Sequence, residues 1–343
     1  MKTMITLALF LAGMVASGHK LNRGPATEKL KAGHIPVAAD FGFREYRIYD
    51  KADTILFYTY QHPATTPTDL FLSLPGSDAE DIFTFHKEND SSYWFNSLTD
   101  FDFSYLPANY LFVIVAKPGF GFCGKSKRNT VPAKYWKLNS LEDRVYRANK
   151  TIGYLRKHVL KNPQKTVVFG YSEGFYVAAK LAAVNKKITH LGIGGGGGYT
   201  DFYDFIIMNQ KALLSETLVQ DSIIADNNSI ISSLHRIIEN PADSVFESGY
   251  SNKRWASFSE PPIFNLVKLD IPIYQVHAFN DDSAPVETAY IVPIEFARLK
   301  KNNLTFSVIP NTDHSFNETT ASGKTINHKY EVMTDFFKWV NMH

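Results

Sequence analysis

The stretch TVVFGYSEGFYVAAKLAA, from Thr166 to Ala183, carries the most informative pattern in the chain. It begins with β-branched and aromatic residues, which are typical of a buried strand, and continues as small and apolar residues, which are typical of a helix. Only Gly170 to Gly174 remain for the turn between them. A turn this short needs glycine at its flanks, and it places Ser172 at its apex.

Strands and helices alternate along most of the chain. Apolar segments at 46–50, 54–61, 69–78, 165–169, 187–198, 271–278 and 304–310, with one more beginning at 110, predict eight strands. Helices are expected over 141–160, where Asn139 or Ser140 can serve as the N-cap, after Gly174, over 286–300 and over 330–340. Such alternation predicts an α/β fold in which a mainly parallel eight-stranded sheet carries helices on both faces.

One segment interrupts this alternation. Residues 199–262 show helical periodicity without a convincing strand, so they are interpreted as a helical cap insertion into a core formed by 42–198 and 263–343. Five consecutive glycines, Gly194 to Gly198, precede it. They are followed by no Lys-Ser/Thr pair, so the run is interpreted as a flexible hinge into the insertion and not as a phosphate-binding loop.

The N-terminus has the pattern of a signal peptide. Lys2 precedes an apolar run from Met4 to Ala16, which is too short to span a bilayer, and small residues follow as Ala16-Ser17-Gly18. We expect cleavage after Gly18, a secreted or periplasmic protein without a membrane-spanning segment in its mature chain, and a polar arm over 19–41. A retained anchor and a buried helix are the alternatives.

Composition narrows the function classes further. The formal net charge of the 343-residue chain is +2, and no cluster of Lys or Arg is present, so a nucleic-acid partner is not expected. Cys123 is the only cysteine, which excludes an intramolecular disulfide and a two-cysteine metal site. No metal-ligand cluster or dinucleotide motif is found, and we expect neither a metal ion nor a cofactor.

The Gly-x-Ser-x-Gly turn between strand and helix is a nucleophile elbow, and on this motif the chain resembles the α/β-hydrolase superfamily from about Tyr46 to its C-terminus. The resemblance implies a catalytic triad in the order Ser, acid, His. The nucleophile would be Ser172, and the histidine would be His314 in NTDHSF, after the eighth strand.

The acid of the triad would lie in HAFNDDSAP, which follows the seventh strand. This segment is similar to the family pattern His-Gly-x-x-Asp-x-x-Val-Pro, and the match places the acid at Asp281. The chain departs from the pattern at Ala278, which replaces glycine, and at Ala284, which replaces valine.

Each triad residue also has a structural interpretation. Ser172 can be an ordinary turn residue, and His314 can be an ordinary surface histidine, since the chain contains eleven histidines. Asp281 can cap the helix that begins near Val286, with Asp282 as the acid. The triad interpretation is preferred because all three residues follow the strands that the family requires.

The resemblance also implies an oxyanion hole built from two backbone N–H groups. One would come from the residue after the nucleophile, Glu173. The other would come from Ser77 in LPGSD after the third strand, where Pro75 replaces the histidine of the family's His-Gly-x pattern.

These residues predict an exported serine hydrolase that cleaves a small-molecule carboxylic ester through an acyl-enzyme. Two alternatives remain: a peptidase that acts on short peptides, and a catalytically silent binding protein of the same fold. Dehalogenase and epoxide-hydrolase chemistry is disfavoured because those relatives have Asp at the position of Ser172. Amine-terminated peptides would need acids in the cap, for which the candidates are Glu216, Asp221, Asp226 and Glu239.

Overall fold

The computed structural model describes residues 30, 33–50, 53–87, 93–99, 103–125, 131–214, 219–242, 246–247 and 249–343. The predicted signal peptide and most of the predicted arm lie outside the described residues. The strands are β1 (Arg44–Asp50), β2 (Asp53–Tyr60), β3 (Asp69–Leu74), β4 (Phe83–Lys87), β5 (Tyr93–Ser97), β6 (Tyr110–Val115), β7 (Cys123–Lys125), β8 (Thr166–Tyr171), β9 (His190–Gly194), β10 (Phe246–Glu247), β11 (Tyr250–Ser251), β12 (Ile273–Ala278), β13 (Leu304–Ile309), β14 (Asn317–Thr319) and β15 (Thr325–Asn327).

The helices follow these strands in the order that the alternation predicts. They are α1 (Ala133–Leu138), α2 (Leu141–His158), α3 (Glu173–Val184), α4 (Asp201–Leu214), α5 (Gln220–Glu239), α6 (Asn252–Phe258), α7 (Ile263–Leu266), α8 (Val286–Ala289), α9 (Ile291–Arg298) and α10 (Lys329–Met342). The Ser140 side chain accepts from the backbone N–H of Asp143, 3.2 Å away, and so caps α2. None of the described helices combines the length and apolarity needed to cross a bilayer.

The central sheet has eight strands in the spatial order β1-β2-β6-β3-β8-β9-β12-β13. β1 and β2 pair antiparallel, β2 and β6 pair antiparallel, and every later pair is parallel. These are the eight predicted strands, so the predicted mostly parallel sheet is confirmed. Its parallel strands all end at one edge, where loops after β3, β8, β12 and β13 meet.

Hydrophobic residues cover the sheet on both faces. On one face α2 and α3 pack over Leu72 and Val168, and on the other α10 packs over Phe71 and Phe169. Phe336 of α10 lies 5.0 Å from Phe169, ring centroid to centroid. Helices on both faces are therefore confirmed, and the two buried layers fix the sheet edge as a rigid platform for the loops.

Short strands outside the central sheet were not predicted. β5, β4 and β7 form a three-stranded sheet, β10 pairs with β11, and β14 pairs with β15. In β4 the polar side chains of Thr84 and His86 are buried together with Phe83 and Phe85, so the apolar–polar alternation does not mark a solvent face. The ring of Phe41 stacks on Phe83 at 4.9 Å, so the last residues of the predicted polar arm pack against the core.

The helix predicted over 286–300 is two helices, α8 and α9. Pro293 has no backbone N–H, so it cannot donate to the carbonyl of Ala289 four residues earlier. The side-chain amide of Gln275 donates to that carbonyl instead, at 3.3 Å. The break is therefore a proline effect, compensated by a buried glutamine.

The described residues of the predicted insertion are mainly helical. The insertion contains α4, α5 and α6 with the two short strands β10 and β11, and it has a small core of its own around Phe202, Ile230, Ile237 and Trp255. Contacts between α4 and α8 and between α2 and α6 join it to the α/β core.

The glycine run before the insertion is closely packed, and the interpretation as a flexible hinge is wrong. Residues 194–198 are all buried. An added Cβ would lie 2.6 Å from the Tyr171 ring at Gly195, 2.9 Å from Phe175 at Gly196 and 2.8 Å from the Ile291 side chain at Gly198. These glycines are present because neighbouring side chains occupy the space that a Cβ would need.

Candidate active site

Ser172 occupies the sharp turn that the sequence predicts. β8 ends at Tyr171 and α3 begins at Glu173, and Ser172 between them has φ 56° and ψ −125°. A positive φ is strained for a residue with a side chain, and such strain is typical of a nucleophile held at a strand–helix turn.

The two glycines of the elbow allow this close approach. A Cβ at Gly174 would lie 1.9 Å from the backbone oxygen of Leu74. A Cβ at Gly170 would lie 2.1 Å from the backbone oxygen of Gly174 and 2.6 Å from Cβ of Ala178. Strand, turn and helix can therefore pack this tightly only with glycine at both positions.

Asp281 and His314 are in direct contact. Nδ1 of His314 lies 2.8 Å from Oδ2 and 2.9 Å from Oδ1 of Asp281. The backbone N–H groups of Ser283 and Ala284 donate to Oδ1 at 2.9 and 2.7 Å, and they fix the carboxylate in the loop after β12.

The contact changes the pKa of both residues. Burial alone would raise the pKa of Asp281, but the charge of His314 and its hydrogen bond outweigh burial and hold the pKa below its usual range. Burial alone would lower the pKa of His314, but the Asp281 carboxylate outweighs it and raises the pKa above 6.5. Asp281 is therefore ionised and favours the charged imidazole.

Ser172 and His314 lie at the same edge of the sheet. Tyr171, the residue before the serine, packs its ring 5.3 Å from the imidazole of His314 and donates its hydroxyl hydrogen bond to the His314 carbonyl. Within the described part of the chain, no hydrogen bond joins the Ser172 hydroxyl to His314. Such contacts often form only when substrate is bound.

The two predicted oxyanion donors, Glu173 and Ser77, also lie at this edge. A Cβ added to Gly76 would lie 3.2 Å from Cβ and 3.4 Å from Oγ of Ser172, so the peptide that carries the Ser77 N–H adjoins the nucleophile. Glu173 is the first residue of α3, where a backbone N–H has no acceptor within the helix. Among the described residues, neither N–H donates a hydrogen bond.

Glu173 belongs to a buried ionic cluster that the sequence did not predict. The carboxylate of Glu173 binds Arg144 of α2 and accepts from Nε of Arg254 in α6 at 3.0 Å, and Nη1 of Arg254 lies 3.1 Å from Asp201. Burial would raise the pKa of Glu173, but Arg254, Arg144 and Lys117 lower it to about 2. The sequence contained one signal for this cluster, which is the position of Glu173 on the turn of the elbow. A carboxylate buried there requires cations nearby.

Lys117 is the third cation of the cluster. It follows β6 and is 5% exposed. Burial and the neighbouring Arg144 lower the pKa of Lys117 to about 7, against the opposing charge of Glu173. In the sequence it stands at the end of an apolar run, where a lysine is expected to reach solvent.

Three of the four acids proposed for the cap are described, and none of the three is buried. Asp221 and Glu239 are exposed and Asp226 is half-buried on α5, whereas Glu216 lies outside the described residues. Among the described acids of the insertion, Asp204 on α4 is buried, and its pKa is raised well above its usual range by burial and by the nearby charge of Asp201. Across the described residues, no group of three or more His, Cys, Asp and Glu could hold a metal ion.

Comparisons with known proteins bear on the fold. The sequence matches no family model, and no curated protein is significantly similar to it. The structure is similar to that of the acylaminoacyl peptidase of Pyrococcus horikoshii, with a TM-score of 0.52 and 11% identity over 86% of this chain and 41% of that one. It is also similar to a Bacteroides ovatus protein assigned as a dipeptidyl aminopeptidase IV, with a TM-score of 0.54 and 9% identity over 88% of this chain and 36% of that one.

The chain therefore spans less than half the length of these two proteins, and it aligns with part of each. At this identity the likeness concerns the fold. Strand order, the strained turn after β8 and the similarity to solved structures agree, and the chain has the α/β-hydrolase fold.

Proposed function

We propose that the protein is an exported serine hydrolase that cleaves carboxylic esters through an acyl-enzyme on Ser172. The observation that carries the proposal is the strained backbone of Ser172 at the same sheet edge as the hydrogen-bonded pair of His314 and Asp281. The backbone strain holds the serine hydroxyl out of the helix and the sheet, where a substrate carbonyl can meet it.

The mechanism assigns one task to each group. His314 takes the proton of the Ser172 hydroxyl as the oxygen attacks the ester carbonyl, and it then donates that proton to the departing alcohol. Asp281 holds the tautomer in which Nδ1 carries the hydrogen, and it stabilises the imidazolium. Water then attacks the acyl-enzyme by the same route and releases the acid.

The tetrahedral intermediate carries a negative oxygen that needs fixed donors. The N–H groups of Glu173 and Ser77 would supply them, because both are unpaired within the described structure and adjoin Ser172. Such donors act on the charge as it develops, so they stabilise the transition state more than the bound ester.

Esters are favoured over amine-terminated peptides by the acids of the insertion. An ammonium group is best bound by an enclosed, ionised carboxylate. Asp221 and Glu239 are exposed, Asp226 is half-buried, Asp201 binds Arg254, and burial raises the pKa of Asp204 well above its usual range. None of these five described acids is an enclosed carboxylate that favours its ionised form.

Labelling with a fluorophosphonate probe tests the proposal. Wild-type protein should be labelled on Ser172, as located by peptide mapping, and Ser172→Ala should not be labelled. A panel of p-nitrophenyl esters and aminoacyl amides should then show ester hydrolysis. Faster cleavage of the amides would identify the peptidase alternative, and a failure to label or hydrolyse would identify the silent binding protein.

A further inference from the structure

The loop after β3 is held from below by buried polar side chains. Lys117 in the turn after β6, Arg144 on α2 and Tyr135 on α1 all reach it, and each is at most 8% exposed. The sequence predicts no function for these three side chains, and the mechanism proposed above does not use them.

Together these side chains bind four consecutive backbone carbonyls. Nη2 of Arg144 donates to the Pro75 oxygen at 2.6 Å, and Nζ of Lys117 donates to the Gly76 oxygen at 2.7 Å. The remaining bonds run from Tyr135 to the Ser77 oxygen, at 3.2 Å, and from Lys117 to the Asp78 oxygen.

Because a trans peptide is planar, a contact that fixes the direction of its carbonyl also fixes the direction of its N–H. In each peptide the N–H points opposite to the C=O. Because the Gly76 oxygen faces Lys117, the Ser77 N–H points away from the cations. When Lys117 is protonated, its charge also polarises this peptide, which makes the N–H a stronger donor.

We propose that Lys117, Arg144 and Tyr135 are positioning residues that hold the 75–78 loop with its amide hydrogens directed toward the substrate oxyanion. The inference rests on the proposed function, because it concerns the same reaction at Ser172. It predicts that these residues, which touch neither substrate nor the reacting atoms, affect the chemical step more than substrate binding.

The test compares Lys117→Met and Lys117→Arg with wild type on a p-nitrophenyl ester. Loss of one oxyanion donor typically lowers kcat by about 10²–10³-fold, so a misdirected donor in Lys117→Met should lower it by at least about tenfold. KM should stay within about threefold, because the loss falls on the transition state. Lys117→Arg should recover part of kcat, since it keeps a cation at this position.

Lys180→Met is the matched control, because Lys180 binds Glu142 and Glu260 on the outer side of α3. It should leave kcat unchanged. A folded Lys117→Met with wild-type kcat would overturn the inference, as would a loss confined to KM.

A second pair of variants covers the case in which Lys117→Met does not fold. Tyr135→Phe removes only the hydroxyl on the Ser77 carbonyl, and it should lower kcat several-fold at an unchanged melting temperature. Tyr110→Phe removes a buried hydroxyl that has no hydrogen-bond partner among the described residues, and it should leave kcat unchanged.

Equal kcat in Tyr135→Phe and Tyr110→Phe would overturn the inference. If these variants behave like wild type while Ser172→Ala is inactive, the proposed function stands and the positioning role alone falls. Wild-type protein that neither labels nor hydrolyses esters would overturn both.

Discussion

Asp281 and Asp282 are adjacent in the chain and occupy opposite environments. Asp281 is 3% exposed and accepts hydrogen bonds from Ser283, Ala284 and His314, whereas Asp282 is exposed to solvent. Asp282 also does not cap α8, whose N-cap position is Pro285. The two carboxylates therefore form a matched pair for mutagenesis.

Asp281→Asn should lower kcat by about 10⁴-fold, because the amide no longer favours the required tautomer or stabilises the imidazolium. Asp282→Asn should leave kcat within a few-fold of wild type. Steady-state kinetics on a p-nitrophenyl ester compares the two. The assignment of the acid is wrong if Asp282→Asn is the inactive variant while Asp281→Asn retains activity.

The rate of ester hydrolysis should fall as pH decreases. His314 must be neutral to accept the serine proton, and Asp281 raises its pKa above 6.5, so the fall should be centred above pH 6.5. The dependence of kcat/KM on pH measures this value in the free enzyme. In Asp281→Asn the residual activity should fall at a lower pH, and an unshifted profile would contradict a direct effect of Asp281 on His314.

Gly195 should tolerate substitution poorly. Gly195 and Gly323 both have positive φ, at 59° and 78°, but a Cβ would meet the Tyr171 ring only at Gly195, because nothing lies within 4 Å at Gly323. We expect Gly323→Ala to lower the free energy of unfolding by about 1–2 kcal/mol, which is the cost of the left-handed backbone alone. Gly195→Ala should lose about 1–3 kcal/mol more through overpacking.

Chemical denaturation of both glycine variants measures the difference. A flexible hinge would give the same small loss at both positions, so equal losses would contradict the closely packed glycine run.

Arg254→Met should destabilise the protein strongly, because it leaves the buried carboxylate of Glu173 with Arg144 and Lys117 alone. Loss of one partner from a buried ion pair typically costs about 3–5 kcal/mol. Thermal unfolding should show a clearly lower melting temperature. Arg298→Met provides the control: Arg298 pairs with Glu295 at 2.7 Å on the surface, and its loss should leave the melting temperature unchanged.

The mature protein should begin at His19. Lys2, the apolar run and Ala16-Ser17-Gly18 predict cleavage after Gly18. Intact-mass analysis of protein purified from the native host checks the position. A purified chain that retains Met1 would show that the segment is not removed.

The fold was largely predictable because its signals are local. Eight apolar runs separated by helical segments define the central sheet, and glycines at fixed positions define the elbow. Asp281 and His314 could also be identified from the sequence, because they follow strands whose order the resemblance supplies. Their hydrogen bond spans 33 positions in the chain, so only the structure could show it.

Other features could not be predicted because they depend on distant partners. The ionic cluster unites Lys117, Arg144, Glu173 and Arg254, which are scattered over the chain. The place of Glu173 in the elbow indicates burial, but the three cations look individually like surface charges. The short strands β4 and β7 pair across a wide gap in sequence, and buried polar residues hide their alternation. The glycine run was misinterpreted because composition does not reveal which side chains crowd it.

The pairing of Arg254 with Glu173 also limits how a substrate can reach Ser172. Arg254 belongs to α6 of the insertion, whereas Glu173 belongs to the core, directly after the serine. Lifting α6 from the core would separate two buried charges, which typically costs several kcal/mol. We therefore expect α6 to stay in place during turnover.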